Sequence, residues 1–448
     1  MVQPRYARSW RAPGADCAAA GWIHPYTRCS LAMLAAATLL IGGTAADSRE
    51  IWERDWIEVR TENFIVASTI GRKQTAEIAR RLENFRALMT LLASPQRADP
   101  RDPIKVYLLS RPLPEIGLSA DLRGYSLPTD PSIIVLRRSR TTAESVQHEY
   151  AHLFVRSRDP LQYPPWLDEG LAELLSTIEL DGESFHVGKP PTYAMSRLRN
   201  LRWLEYSRVL AVHDPRELDG VQRAMFYYQS WLLVHYLNWG RMDRNYRRDT
   251  ARYLRGVAAG VPADAAFAES FDLEITKLAP VLRAYGSRLR YREGTLGARF
   301  AEAESRLRQM RPDQVAAGIG EILMVRGELA SARRYFESAL NIDHENANAQ
   351  VGIAEVLTRQ GDDEKAAAWW RAAAEQGDSE AQFRLGVLYD NGIGVERNYY
   401  EAYAWARAAA IQGVDEAREL QQHLLGKIAD IEHARQLARD YVEKFVLR

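Results

Sequence analysis

Cysteine is nearly missing from this chain: two in 448 residues, Cys17 and Cys29, both close to the start. No charge of one sign prevails either, with 59 basic residues against 59 acidic. That balance argues against a general polyanion binder, so nucleic acid is not an expected partner. Long apolar runs are also lacking. The best of them, Leu31–Ile41, falls well short of the roughly 20 residues a membrane-crossing helix needs. What remains is 46% hydrophobic and 26% charged, a composition that fits folded globular protein and excludes an intrinsically disordered chain.

The first 46 residues have the order of an export leader. Arg5, Arg8, Arg11 and Arg28 precede the apolar run, and the small-residue stretch Gly42–Ala46 follows it. This order predicts a signal peptide over 1–46 with cleavage after Ala45 or Ala46. The expected location is the bacterial periplasm or the medium, with no stable membrane span after cleavage. The cleaved chain holds no cysteine, which rules out disulfides and thiolate metal sites. It is also slightly acidic, because the leader takes four arginines and one aspartate with it.

Residues 52–69 alternate and are rich in β-branched types, so they read as a strand pair, and 73–92 carries helical spacing. Strands follow at 104–109 and 133–137. From Glu144 onward the pattern is helical, apart from a short hairpin near 181–188. Strands first and helices later indicate an α+β layout. The chain then becomes repetitive. Gly327-Glu-Leu-Ala-Ser-Ala332 recurs 34 positions on as Gly361-Asp-Asp-Glu-Lys-Ala366. Trp369–Gly377 recurs 36 positions on as Trp405–Gly413. A helix–turn–helix period of 34 is the tetratricopeptide signature, and the Ala381–Val395 segment resembles a Sel1-like repeat. The predicted domains are thus 47–292, an α+β domain, and 293–448, an all-α solenoid that begins with a charged helical linker over 293–312.

The chemistry concentrates in Ser145-Val-Gln-His148-Glu149-Tyr-Ala-His152-Leu-Phe-Val155. On a helix, residues four apart stand one above the other, so His148 and His152 can converge on one ion. Zinc suits imidazole ligands and keeps an open position when it is catalytic. Glu149 then lies where a carboxylate can take a proton from water. Seventeen residues past His152 comes Glu169, inside Trp166-Leu-Asp-Glu169-Gly-Leu-Ala-Glu173. Pro164 and Pro165 start a new helix here, which turns Glu169 toward the histidines as a third ligand. Glu173, one turn on, can hold the free N–H of a ligand histidine, its alternative being an ordinary surface glutamate. Asp168 is expected to orient local backbone. His186, His213 and His235 lack metal spacing and read as ordinary polar or core residues.

These motifs resemble the gluzincin metallopeptidases, and most of all the peptidase MA-like group. The resemblance implies a zincin-like fold over roughly residues 52–290, with Glu169 as third zinc ligand and Glu149 as general base. By the same resemblance, Phe226–Leu237 corresponds to a helix carrying a catalytic tyrosine. Tyr227 is the implied oxyanion donor, with Tyr228 or mere packing as alternatives. The Gly-x-Met-Glu-Asn segment of the related aminopeptidases is absent, so an endopeptidase is expected. Family behaviour implies that substrate adds a strand to a sheet edge, for which Ile133–Leu136 is the candidate. The expected function is an exported zinc peptidase whose repeats dock a protein partner or substrate. The alternative is a non-catalytic scaffold acting through its repeats on a degenerate peptidase fold.

Overall fold

A computed structural model describes residues 50–92, 103–118, 124–129, 131–158, 163–181, 184–241, 244–289, 292–295 and 304–447. The proposed leader lies outside the described residues. Two compact units emerge, one from Asp55 to Met310 and one from Arg311 onward, which also includes the described residues through Arg54.

The first unit is built on a six-stranded sheet. Its strands are β1 (Ile57–Arg60), β2 (Phe64–Ser68), β3 (Ile104–Leu109), β4 (Gly124–Leu127), β5 (Ile133–Arg137) and a late β9 (Arg306–Gln309), in the order β4-β5-β3-β2-β1-β9. Strands β2, β3 and β5 run parallel, and β1, β4 and β9 pair antiparallel to their neighbours. The central strands are β-branched and apolar, as strands covered on both faces must be. Two helices, α1 (Arg72–Leu92) and α2 (Thr142–Arg158), cover one face. Ile78, Leu82, Phe85 and Leu88 of α1 join Val146, Tyr150, Leu153 and Phe154 of α2 in a core with Val106, Leu108, Ile134 and Leu136. Tyr150 stands at the centre, edge-on to Phe64 and Phe85. With that face of α2 fixed on the sheet, His148 and His152 turn the other way.

The helical half follows, from α3 (Pro165–Ser176), a hairpin β6 (Glu179–Asp181) and β7 (Ser184–Val187), and the short helices α4 (Ala194–Asn200) and α5 (Tyr206–Ala211). It is completed by α6 (Gly220–His235), which runs into a π-helical turn at Tyr236–Gly240, then α7 (Tyr246–Ala258), α8 (Ala263–Phe271) and α9 (Ile275–Gly286). Trp166 anchors α3 here, fully buried against Phe267 and donating its indole N–H to Tyr253 at 3.0 Å. Among the described residues, no helix is long and apolar enough to cross a membrane.

Two expectations change. Ile133–Leu136 is not a sheet edge, because β5 is bonded on both sides, to β3 and to β4. The edge on this side is β4, whose Gly-Tyr-Ser-Leu carries too little alternation to announce a strand. The first unit also runs past residue 292. Strand β8 (Arg292–Thr295) pairs with β7, and β9 pairs with β1, where Arg308 forms a two-pronged ion pair with Glu58 at 2.6 and 2.8 Å. The segment 293–312 is therefore in part strand, not a helical linker.

The second unit is a solenoid of eight helices: α10 (Pro312–Val325), α11 (Leu329–Ile342), α12 (Ala347–Gln360), α13 (Asp363–Glu375), α14 (Ser379–Asn391), α15 (Tyr399–Ile411), α16 (Asp415–Leu425) and α17 (Ile431–Phe445). Its small residues are there for close approach. A β-carbon on Gly320 or Gly352 would come within 2.7 or 2.3 Å of the Phe336 ring, which fills the groove between α10 and α12. The turn Ile51–Glu53 also belongs to this unit, with Ile51 buried and Trp52 edge-on to Tyr335.

Candidate metal centre

Helix α2 presents its two histidines toward α3, and α3 brings Glu169 between them. His148 Nε2 lies 3.1 Å from His152 Nε2 and 3.2 Å from Glu169 Oε2, and His152 Nε2 lies 3.4 Å from that same oxygen. These three donors form a nearly equilateral triangle. Among the described residues they make the one grouping of metal-ligating side chains. A tetrahedral zinc with Zn–N of about 2.0–2.1 Å requires neighbouring donors about 3.3 Å apart, so the separations fit such an ion.

Each of the two histidines has a carboxylate near its other nitrogen. Glu173 Oε1 lies 3.6 Å from His148 Nδ1. Asp168 Oδ1 lies 3.1 Å from His152 Nδ1, although that nitrogen makes no well-aligned hydrogen bond, and Asp168 Oδ2 accepts from Arg156 at 2.5 Å. Asp168 thus faces the His152 ring, where the sequence suggested only local backbone for it. The signal available was Arg156, one helical turn after His152 and so on the same face. Carboxylates behind metal-binding imidazoles fix the tautomer and raise ligand basicity.

The charges are tightly coupled. Burial opposes a proton on either histidine, but the charge of Glu169 and the Asp168 contact outweigh it at His152, whose pKa rises to about 10. His148 is likewise raised, burial being outweighed by its bond to Glu169 and the charge of Glu173. Burial would lift Glu169, yet the two imidazoles hold it well below the usual carboxylate range. Glu173 is pushed up by burial and by the neighbouring charges of Glu169 and Glu144.

Two residues complete the surroundings. Glu149 is half-buried, on the helix beside His148. Tyr227 of α6 turns its ring edge-on to His148 with centroids 6.4 Å apart. Burial and the charges of Glu169, Glu149 and Glu173 drive its phenol pKa well up, so it stays protonated. Tyr228 turns elsewhere, its hydroxyl 3.5 Å from the Thr192 carbonyl. Helix α6 reaches this position because Gly170 lets α3 approach. A β-carbon there would lie 2.6 Å from the Ser230 carbonyl oxygen and 2.7 Å from Val234. Of the other histidines, His235 is wholly buried and bonded in the core, away from the triad.

Comparison with known proteins bears on the second unit. Residues 352–378 and 379–414 match the Sel1 repeat profile. A 56-residue stretch is 39% identical to the DAP3-binding cell death enhancer 1 of Rattus norvegicus, covering 12% of this chain and 11% of that protein. Among solved structures, a protective antigen of uropathogenic Escherichia coli strains displaying an SLR fold aligns at 22% identity. That alignment has a TM-score of 0.28 and covers 57% of this chain and 46% of the other. A Sel1 repeat protein from Oxalobacter formigenes aligns at 20% identity and TM-score 0.22, over 56% and 61% of the two chains. In each case the chain spans less than two thirds of the relative. The C-terminal region carries Sel1 repeats.

Proposed function

We propose that the α/β unit is a zinc-dependent peptidase, exported and acting on peptide or protein substrates. One observation carries this reading: the triangle of His148 Nε2, His152 Nε2 and Glu169 Oε2, with sides of 3.1, 3.2 and 3.4 Å. Zinc held by these three would supply Lewis acidity and a water acidic enough to ionise near neutral pH. Glu149 takes the proton from the attacking water as general base. Tyr227, kept protonated by burial and by its acidic neighbours, donates a hydrogen bond where negative charge develops on the scissile carbonyl oxygen. Glu173 and Asp168 hold the imidazoles in register. Substrate backbone adds to the open edge at β4, which leaves side chains on alternate faces for recognition.

The Sel1 repeats favour a second reading, and the comparisons back it more directly: an interaction scaffold in which the repeats bind a protein partner. Such repeats present side chains from successive helices on an extended surface. The two readings part on one experiment. Purified full-length protein is assayed for bound zinc and for cleavage of a mixed peptide library, beside Glu149→Gln. The peptidase reading expects about one zinc per chain in both proteins, with cleavage lost only in the variant. Zinc-free wild type, or cleavage that survives Glu149→Gln, rejects it and leaves the scaffold.

A further inference from the structure

Helices α11, α13 and α15 are equivalent members of the repeat. Gly327–Ala332 recurs as Gly361–Ala366, and Trp369–Gly377 as Trp405–Gly413. Tyr335, Trp369 and Trp405 thereby fall in equivalent places, each the seventh residue of its helix. A ring at the same point of successive repeats marks one face of a solenoid. Two of the three rings are covered from within the unit. Trp52 stands edge-on to Tyr335 with centroids 5.4 Å apart, and Tyr335 is buried. Helix α17 lies on α15, where Phe445 stacks on Trp405 at 5.1 Å and Tyr441 packs against it at 4.6 Å. The Tyr441 hydroxyl also donates to the Glu401 carboxylate, its two oxygens 2.8 and 3.0 Å away.

Trp369 is the third ring. It is half-buried, with no ring or hydrogen-bonding partner among the described residues. The difference extends to its neighbours. On α15, Ala404 precedes Trp405, Ala408 lies one turn on, and both are fully buried. On α13 the same types, Ala368 and Ala372, stand in the same places, yet Ala368 is exposed and Ala372 half-buried. One tryptophan–alanine surface thus occurs twice in the solenoid, covered by a helix in one place and open in the other. The open surface does not match α17 itself. Lys365 stands where α15 has Glu401, the acceptor of Tyr441. Glu364 stands where α15 has Tyr400, whose ring meets His433 of α17. Altered polar partners on otherwise like surfaces are how two occupants are told apart.

We propose that the Trp369 face of α13 docks an amphipathic helix of a protein partner, one that carries two aromatic residues a turn apart and an acidic residue opposite Lys365. This rests on the reading of the repeats as partner-binding and is independent of the metal centre. The shape of the occupant follows from α17, whose Tyr441 and Phe445 stand one turn apart and seat on the α15 version of the surface. Its charge follows from Lys365, which is exposed and paired with Asp362 of the preceding turn at 2.6 Å. An exposed pair of this kind holds a lysine weakly, so a partner carboxylate can share it. A tryptophan among small residues supplies the aromatic anchor on which such interfaces centre.

The test uses full-length protein and two fluorescein-labelled peptides spanning Asp430–Arg448, one with the native sequence and one with Tyr441→Glu, read by fluorescence anisotropy. The Tyr441→Glu peptide should bind wild type about threefold tighter than the native peptide, because its carboxylate meets Lys365. Its binding should weaken about tenfold or more in Trp369→Ala and in Ala368→Arg, and by less than about threefold in Trp369→Phe. Ala368 is exposed, so its variant should keep the wild-type melting temperature and separate lost docking from lost folding. A Tyr441→Glu peptide that binds Trp369→Ala as well as wild type overturns the proposal and leaves the repeats to bind elsewhere. Failure of both peptides to bind overturns it too, and so does a native peptide that binds equally well. Dimerisation of wild type that is lost in Trp369→Ala, measured by sedimentation, would assign the face to a second copy of this chain instead. None of these outcomes touches the zinc and cleavage assays, so the peptidase reading stands or falls separately.

Discussion

Acidification should loosen the core of the first unit through His235, and the size of the effect follows from its surroundings. The imidazole is fully buried between the Gly188 carbonyl and the Tyr285 hydroxyl, with Trp231 and Trp239 against it. Burial lowers its pKa from 6.5 to about 4, against the smaller opposing pull of its bond to Gly188. Above pH 6.5 the ring is neutral whether the chain is folded or not. Between pH 6.5 and 4 the unfolded ring gains a proton that the folded ring refuses, so stability falls as pH falls. Below the folded pKa both forms are charged and the loss levels off. A shift of this size, at 1.36 kcal/mol per unit, amounts to about 3 kcal/mol, a large share of the roughly 5–15 kcal/mol that holds a typical protein folded. The assay compares urea unfolding of wild type and His235→Phe from pH 8 to pH 4 at fixed ionic strength. Near pH 8 the variant should be weaker by about 1–3 kcal/mol, because the buried Gly188 carbonyl loses its donor. The gap should then close or reverse toward pH 4, since only wild type carries the titrating ring. A gap that stays constant over this range would falsify the account of His235.

Removing the carboxylate behind His152, in Asp168→Ala, should weaken zinc binding about 10–100-fold. Competition with a chromophoric chelator reads this directly, and wild-type affinity in the variant would deny Asp168 a positioning role. Gly170→Ala should lower the melting temperature. The new methyl meets the Ser230 carbonyl at 2.6 Å, and overpacking of this kind costs about 1–3 kcal/mol. That exceeds the roughly 1 kcal/mol that alanine gains over glycine in a helix. A variant as stable as wild type would show that α3 and α6 have room to separate.

What the sequence disclosed depended on whether a local period carried the information. The spacing of His148 and His152 is a helical period, and Pro164–Pro165 mark the start of the helix that bears Glu169, so the triad was readable residue by residue. Strands β3 and β5 announced themselves as β-branched apolar runs. Which strand lies at the edge is a matter of pairing, and the short Gly124–Leu127 held no trace of it. Strand β9 was hidden for another reason. Arg306-Leu-Arg-Gln is exposed along its whole length and is held by backbone bonds and the Arg308–Glu58 pair, so burial left no pattern in its composition. Asp168 was legible as a residue but not as a neighbour of His152, because that meeting depends on how α3 turns against α2. His235 was read on spacing alone as an ordinary polar or core residue. Its hold on Gly188 joins residues 47 positions apart, and no local pattern reports such a contact.

The pairing of β9 with β1 has a consequence for how the polypeptide matures. Arg308 meets Glu58 across 250 positions, so β1, among the earliest strands made, waits for its outer neighbour until the entire helical half has been synthesised. During that interval β1 offers an unpaired row of N–H and C=O groups, which invites pairing with other chains. Any shortened chain that stops before residue 306 would leave β1 unpaired permanently and should aggregate, whereas one cut after Met310 would keep β1 covered by β9. Whether the first unit folds without the repeats is therefore a question to ask at residue 310, and a cut near 292 would answer a different one.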